Sequence, residues 1–236
     1  MIRILFAVML LAGLTGCVQV EQDLVLNPDG SGTLKVVYGV KEQDLQRMRQ
    51  LAAQMAAIDP SLAPKDVDWL TAFDEEVIRT EWAKVAQEGV ALRSVATSQE
   101  GGWRFMTADI SFVNLQRLFE CGMIKDCHIA LTRGPGGQYG YQQSVDVGRS
   151  LKSLPAGMDM ATLQPMLGMM LKEFKAEFRI SVPGDILRTN ADRTEGRQAV
   201  WSMHGGQADL AKRLQELDLR LMFDGKNLRI ADAQSL

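Results

Sequence analysis

Histidine is nearly absent from this 236-residue chain: only His128 and His204 occur. A Ser-His-Asp arrangement needs a positioned imidazole, and neither histidine accompanies a G-x-S-x-G elbow. No phosphate loop and no H-E-x-x-H pair are present. The sequence therefore sets up no recognisable hydrolytic or phosphoryl-transfer chemistry, implies no cofactor, and reads as non-enzymatic. Basic residues are not in surplus. The 26 Lys and Arg against 29 Asp and Glu give a formal net charge of −3. That argues against a nucleic-acid partner, which would want a basic face. Beyond residue 16 no apolar run approaches the ~20 residues that a membrane-spanning helix needs.

What the chain does have is a marked N-terminal stretch, MIRILFAVMLLAGLTGC. One positive charge, Arg3, precedes an apolar run over Ile4–Leu14 broken only by Gly13. The run is too short to span a bilayer and has the form of a secretory signal. It closes on Leu14-Thr15-Gly16-Cys17, which resembles the lipobox of bacterial lipoproteins. The resemblance implies removal of residues 1–16 and acylation of Cys17 with chains such as palmitate. Two or more acyl chains give a stable membrane anchor where one does not. Val18 in place of Asp implies the outer membrane if the host envelope sorts lipoproteins by the enteric rule. An uncleaved apolar terminus and cleavage at another site are the alternatives.

Three cysteines are present, and lipidation would use one. Cys121 and Cys127 remain, in FECGMIKDCHI. An oxidising compartment favours their pairing, and the short loop limits the stabilisation to roughly 2 kcal/mol. The rival reading, a metal or redox pair, has the wrong spacing for C-x2-C or C-x-x-C chemistry, and His128 beside Cys127 leaves too few ligands.

Hydrophobic periodicity divides the mature chain, 17–236, into alternating strand and helix patterns. Val18 to Leu26 and Thr33 to Tyr38 read as a hairpin around Asn27-Pro28-Asp29-Gly30-Ser31-Gly32. Residues 41–58 carry a helical stripe of Leu45, Met48, Ala52, Met55 and Ile58. Phe73 to Glu88 reads as a second helix, with Thr71 and Asp74 as a capping pair and Gly89 as its stop. Strands are predicted in ALRSVATS and WRFMTADISFV around Glu100-Gly101-Gly102, with a short helix from Asn114 to Phe119. HIALTR and QYGYQQSV form a further hairpin. EFRISVPG and RQAVWSM read as strands flanking a loop, Asp185 to Gly196. QADLAKRLQ reads as a helix and LDLRLMFDG as a strand. The order predicts an α+β fold: an antiparallel sheet built from hairpins, with amphipathic helices on one face. Residues 41–175 could form an insertion within it.

Candidate sites are few. The 27–32 turn imitates the start of a calcium loop, but Lys35 and Tyr38 stand where later ligands belong, leaving a hairpin turn. Asp74, Glu75 and Glu76 cluster at a helix start, where the dipole favours acids. The segment MDMATLQPMLGMMLKEF places Met160, Leu163, Met166, Met170 and Leu171 on one helical face. Thioethers could hold Cu(I). The reading preferred here is an apolar core or a pocket lining, since Met adapts to irregular apolar surfaces.

Two stretches together are similar to the LppM-type domain of bacterial lipoproteins. One is LVLNPDGSGTLKVVY. The other is ISVPGDILRTN with GRQAVWSM, in which Pro183-Gly184, Asn190, Gly196 and Trp201 stand in the family's order. The resemblance implies an exported, membrane-tethered α+β domain that binds envelope lipids or glycolipids, and it carries over no catalytic residue. The expectation is a periplasm-facing or surface lipoprotein with a lipid or amphiphile ligand. The alternative is an envelope lipoprotein that docks a protein partner.

Overall fold

The turn Asn27–Gly32 shows how local chemistry starts the fold. Asp29 accepts hydrogen bonds from the Ser31 backbone N–H at 3.0 Å and from its hydroxyl at 2.7 Å. The hydroxyl also accepts from the Asn27 amide at 3.0 Å. Gly30 takes φ +88°, a conformation open to glycine. The oxygens that imitated a calcium loop are thus spent on the turn. In the computed structural model, which describes residues 18–47, 50, 57, 73–120, 127–145, 173–226, 228, 230 and 234–235, this turn joins β1 (Val18–Leu26) to β2 (Gly32–Lys41). Their antiparallel register is set by Leu24 opposite Leu34.

Alternation then fixes which face each strand buries. Val18, Val20, Leu24 and Leu26 of β1 are buried, with Leu34, Val36, Tyr38 and Val40 of β2. The hairpin β3 (Val90–Glu100) and β4 (Trp103–Phe112) joins β2 through β4. On the other side β1 pairs in parallel with β7 (Lys175–Ser181), which leads to β10 (Gln198–His204) and the short β9 (Arg193–Glu195). The first sheet is therefore β3-β4-β2-β1-β7-β10-β9, with the N-terminal strand at its centre.

The second sheet is β12-β5-β6-β11-β8. It comprises β5 (Cys127–Arg133), β6 (Gln138–Val145), β8 (Ile186–Thr189), β11 (Asp218–Asp224) and the two-residue β12 (Gln234–Ser235). Its buried face carries Leu131, Tyr139, Tyr141, Val145, Leu219, Leu221 and Phe223, all part of the same apolar core as the first sheet. Tyr139 stacks on Phe223 at 5.6 Å between centroids. One polar pair crosses the layers. Gln22 of β1 donates to Gln143 of β6 at 2.9 Å and accepts from it at 3.1 Å. Both are sealed, at 2% and 0% exposure. Tyr141 adds its hydroxyl to Gln143 Oε1 at 2.7 Å.

Besides a helical stretch at 42–47 that follows β2, the described helices include the short α1 (Glu75–Val85), α2 (Leu115–Glu120) and α3 (Leu210–Gln215). Asp74 caps α1 by accepting from the Glu76 and Val77 N–H groups. Ile78 and Trp82 are buried. Glu75 accepts from the backbone N–H of Thr97, and Arg79 donates to the carbonyl of Val95. Two helix side chains thus occupy outward-facing backbone groups of the edge strand β3, blocking edge-to-edge pairing there. The acidic cluster is accounted for by a cap and an edge cover.

Three expectations are corrected. A second β-sheet, which the expected single sheet did not include, packs on the inner face of the first sheet around β1, because the later hairpins bring their own apolar faces. The first sheet is mixed, since β1 and β7 run parallel. The predicted loop Asp185–Gly196 contains β8, half-exposed, and β9, fully exposed, both short strands without apolar alternation. Residues 41–175 contribute β3 and β4 to one sheet and β5 and β6 to the other.

Candidate functional site

The outer face of the second sheet is where small side chains leave a hollow. Register places Gly140 of β6 between Thr132 of β5 and Met222 of β11. Ala130 lies opposite Gln142, and Arg188 of β8 lies opposite Met222. With no side chain at Gly140 and a methyl at Ala130, the sheet surface sinks into a depression of about 500 Å³. Its rim carries Gln138, Gln142, Arg188, Asn190 and Arg220. Tyr139 and Tyr141 reach it only from the floor, because their hydroxyls point inward to Leu228 O and Gln143.

The electrostatics are one-sided. Arg220 pairs with Asp218, and that carboxylate raises its pKa further by hydrogen bonding and charge. Arg188 is exposed and makes no ion pair or hydrogen bond among the described residues. The lining holds no carboxylate, imidazole or thiol. It offers a small apolar floor and a set of donors, and no group suited to proton transfer.

Beside this hollow, Asn190 closes the corner where the chain passes from one sheet to the other. Its Oδ1 accepts from the Trp201 indole at 3.0 Å and from the Arg220 N–H at 2.8 Å. Its Nδ2 donates to Asp218 O at 2.8 Å. Gly184 is required because a Cβ there would stand 1.6 Å from Asp224 O. Gly196 turns β9 into β10 at φ +62°. The motif residues of the sequence resemblance are thus architectural, although Asn190 also lines the hollow.

A second depression of about 500 Å³ lies on the outer face of the first sheet, among Gln19, Glu21, Lys175, Glu177, Arg179 and His204. Its carboxylates and guanidinium groups are engaged with one another, while Lys175 makes no ion pair among the described residues. Arg179 pairs with Glu21 at 3.5 Å and also with Glu177, and Glu177 meets Arg193 at 3.6 Å. This ladder neutralises itself and leaves less for a ligand than the hollow beside Arg188.

The sequence-predicted sites fare unequally. Cys17, Cys121, Met160, Leu163, Met166, Met170 and Leu171 lie outside the described residues. Cys127 carries a free thiol, so the expected bridge to Cys121 is not part of this structure. Its side chain turns inward, where burial pushes the thiol up to about 12 against the lowering effect of a hydrogen bond with Gln143. Burial also holds the neighbouring Tyr141 hydroxyl well above the ordinary tyrosine value. Among the described residues no group of three or more His, Cys, Asp or Glu is placed to hold a metal ion. Sequence reasoning missed the hollow. Its one sequence signal is the glycine inside QYGYQQSV, since glycine within a strand marks a close approach or a gap.

No protein-family profile matches the chain, and no curated protein matches it. Among solved structures, the folded domain of the Mycobacterium tuberculosis LppM protein, determined by NMR, is similar at 14% identity. The match covers 89% of this chain and 91% of that one, with a TM-score of 0.46. A likeness this distant transfers no ligand, role or residue.

Proposed function

We propose that the chain is a membrane-tethered lipoprotein of the cell envelope whose β domain binds an envelope lipid or another amphiphile and does not act as an enzyme. The observation that carries the binding half is the hollow over β5, β6, β11 and β8. A floor of Gly140, Ala130 and Met222 suits an apolar group, and Arg188 with Arg220 suits an anionic head beside it. The tether rests on the Leu14–Cys17 box. No helix among the described residues is long and apolar enough to cross a membrane.

Native mass spectrometry of the mature chain taken from its own envelope tests the reading directly. A co-purifying amphiphile is expected. Gly140→Leu should displace it without unfolding the domain, because an added Cβ meets only the Thr132 hydroxyl at 2.9 Å, which can rotate away. Arg188→Ala should weaken binding about tenfold, the value of one charge-assisted hydrogen bond. Unchanged occupancy in Gly140→Leu would move the ligand elsewhere. A chain that carries no amphiphile and ignores a fluorescent fatty-acid probe would end the binding reading. The second reading, docking of an envelope protein, draws on Leu187, which is 50% exposed on the edge strand β8. It gains if Leu187→Ser removes a co-purifying protein and leaves the lipid content unchanged.

A further inference from the structure

We infer that the end of the first sheet carrying residue 18 seats on the bilayer itself, with the Trp103 ring in the headgroup layer. The inference rests on acylation of Cys17 as proposed above. Val18 is already a strand residue, 1% exposed and in register with Val40. No linker separates it from the anchor position. One peptide step spans 3.8 Å, so the strand end is confined to roughly 10 Å from an acylated Cys17. A domain on a flexible tether could turn any face to the membrane; this one cannot.

Register shows which residues share that end. Val40 and Lys41 close β2, and Lys41 lies opposite Trp103 at the start of β4. Lys175 opens β7 opposite Gln19, and His204 closes β10 opposite Lys175. The Gly101-Gly102 turn projects between β3 and β4. Trp103 is half-exposed and stacked on Phe105 at 6.1 Å between centroids. The Lys41 ammonium lies 5.8 Å from its ring. The indole N–H has no hydrogen-bond partner among the described residues. A ring with an apolar body and a free donor is the side chain best suited to a membrane–water interface.

The charges at this end fit contact rather than electrostatic capture. Lys41 pairs with Glu173, and Arg104 pairs with Glu42 at 2.9 Å. Lys175, exposed and without an ion pair among the described residues, is left as a cation there, so the contact should depend only weakly on salt. Nine residues of β1 at about 3.3 Å each place the Asn27–Gly32 turn roughly 30 Å above the bilayer. Ile230 packs on Gly30 at that far end, and Lys226, four residues earlier in the chain, packs beside Gly137.

The test uses the mature protein in vesicles of phosphatidylcholine and phosphatidylglycerol, some with brominated acyl chains. Mass spectrometry of the N-terminal peptide first establishes whether Cys17 is acylated. An unmodified Cys17 would overturn the anchor reading and this inference with it. The comparison is a chain with a 20-residue Gly-Ser insert between Cys17 and Val18. Trp103 emission, taken as the difference from Trp103→Phe, should be quenched by brominated lipid at least twofold more without the insert. Amine acetylation of Lys175 should fall several-fold relative to the insert chain, while Lys226 reacts equally in both. In an acylated chain, equal quenching and equal Lys175 labelling with and without the insert would overturn the seating and leave the anchor standing.

Discussion

Replacing either member of the Gln22–Gln143 pair should destabilise the domain, and the two replacements should not be equivalent. Gln143 engages both ends of the Gln22 amide and the Tyr141 hydroxyl, and more weakly the Cys127 thiol. Gln143→Leu therefore leaves both ends of the Gln22 amide and the Tyr141 hydroxyl without partners, and takes from the Cys127 thiol its weak hydrogen bond. At about 1–3 kcal/mol for each orphaned group, and allowing for relaxation, a loss of roughly 3–5 kcal/mol is expected. Gln22→Leu orphans only the Gln143 amide nitrogen, because Gln143 Oε1 keeps Tyr141. Its cost should be about 1–3 kcal/mol. The double variant orphans the Tyr141 hydroxyl, at little further cost from the weakly bonded Cys127 thiol, and restores an apolar contact between the layers. It should therefore be more stable than Gln143→Leu alone, with a coupling energy of about 4 kcal/mol. Guanidinium unfolding followed by tryptophan fluorescence measures all four corners of this cycle. Additive losses, or a double variant less stable than either single one, would refute the reasoning that this pair closes the interface between the sheets.

Gly184→Ala should cost roughly 3 kcal/mol or more, since its Cβ meets Asp224 backbone. Gly196→Ala, at φ +62° with open space around it, should cost only about 1 kcal/mol; denaturant midpoints decide the order. Tyr38→Phe should be neutral or stabilising, because the Tyr38 hydroxyl is buried without a hydrogen-bond partner among the described residues; a loss above about 1 kcal/mol would reveal a partner. In the reduced chain, Cys127 should resist iodoacetamide through pH 8–10, because its thiol is pushed up to about 12 and stays protonated there; urea should release it, and rapid labelling of the folded chain would contradict its burial. In chain taken from an oxidising compartment, a mass two protons below the dithiol is expected for the proposed Cys121–Cys127 pair, and free thiols at both positions would exclude it.

Local chemistry made much of the strand content legible. The 27–32 turn residues and the alternation on either side define β1 and β2 without reference to the rest of the chain. Leu217, Leu219, Leu221 and Phe223 likewise announce β11, and Asp74 announces the start of α1. The parallel β1–β7 pairing was not legible, because strands about 150 residues apart in sequence leave no local trace of their partner. The second sheet was hidden for a related reason. Its strands read individually as hairpins, and their assembly depends on which apolar faces meet. β8 was hidden because a four-residue edge strand that packs only Ile186 against the core is too short to show alternation. The hollow followed from register: a single glycine is uninformative until it is known to lie between Thr132 and Met222 on the outer face that also carries Ala130.

The position of β1 has a mechanical consequence. It is held by hydrogen bonds along both sides, to β2 over nine residue pairs and to β7 over seven. These bonds run across the strand direction. A pull on residue 18 along the strand axis strains both ladders in shear, so many bonds must yield together. An edge strand pulled outward would instead unzip one bond at a time. A tether at this terminus would therefore grip the domain by the strand hardest to extract, and drag on the domain would strain the anchor in its lipid before it unravelled the protein.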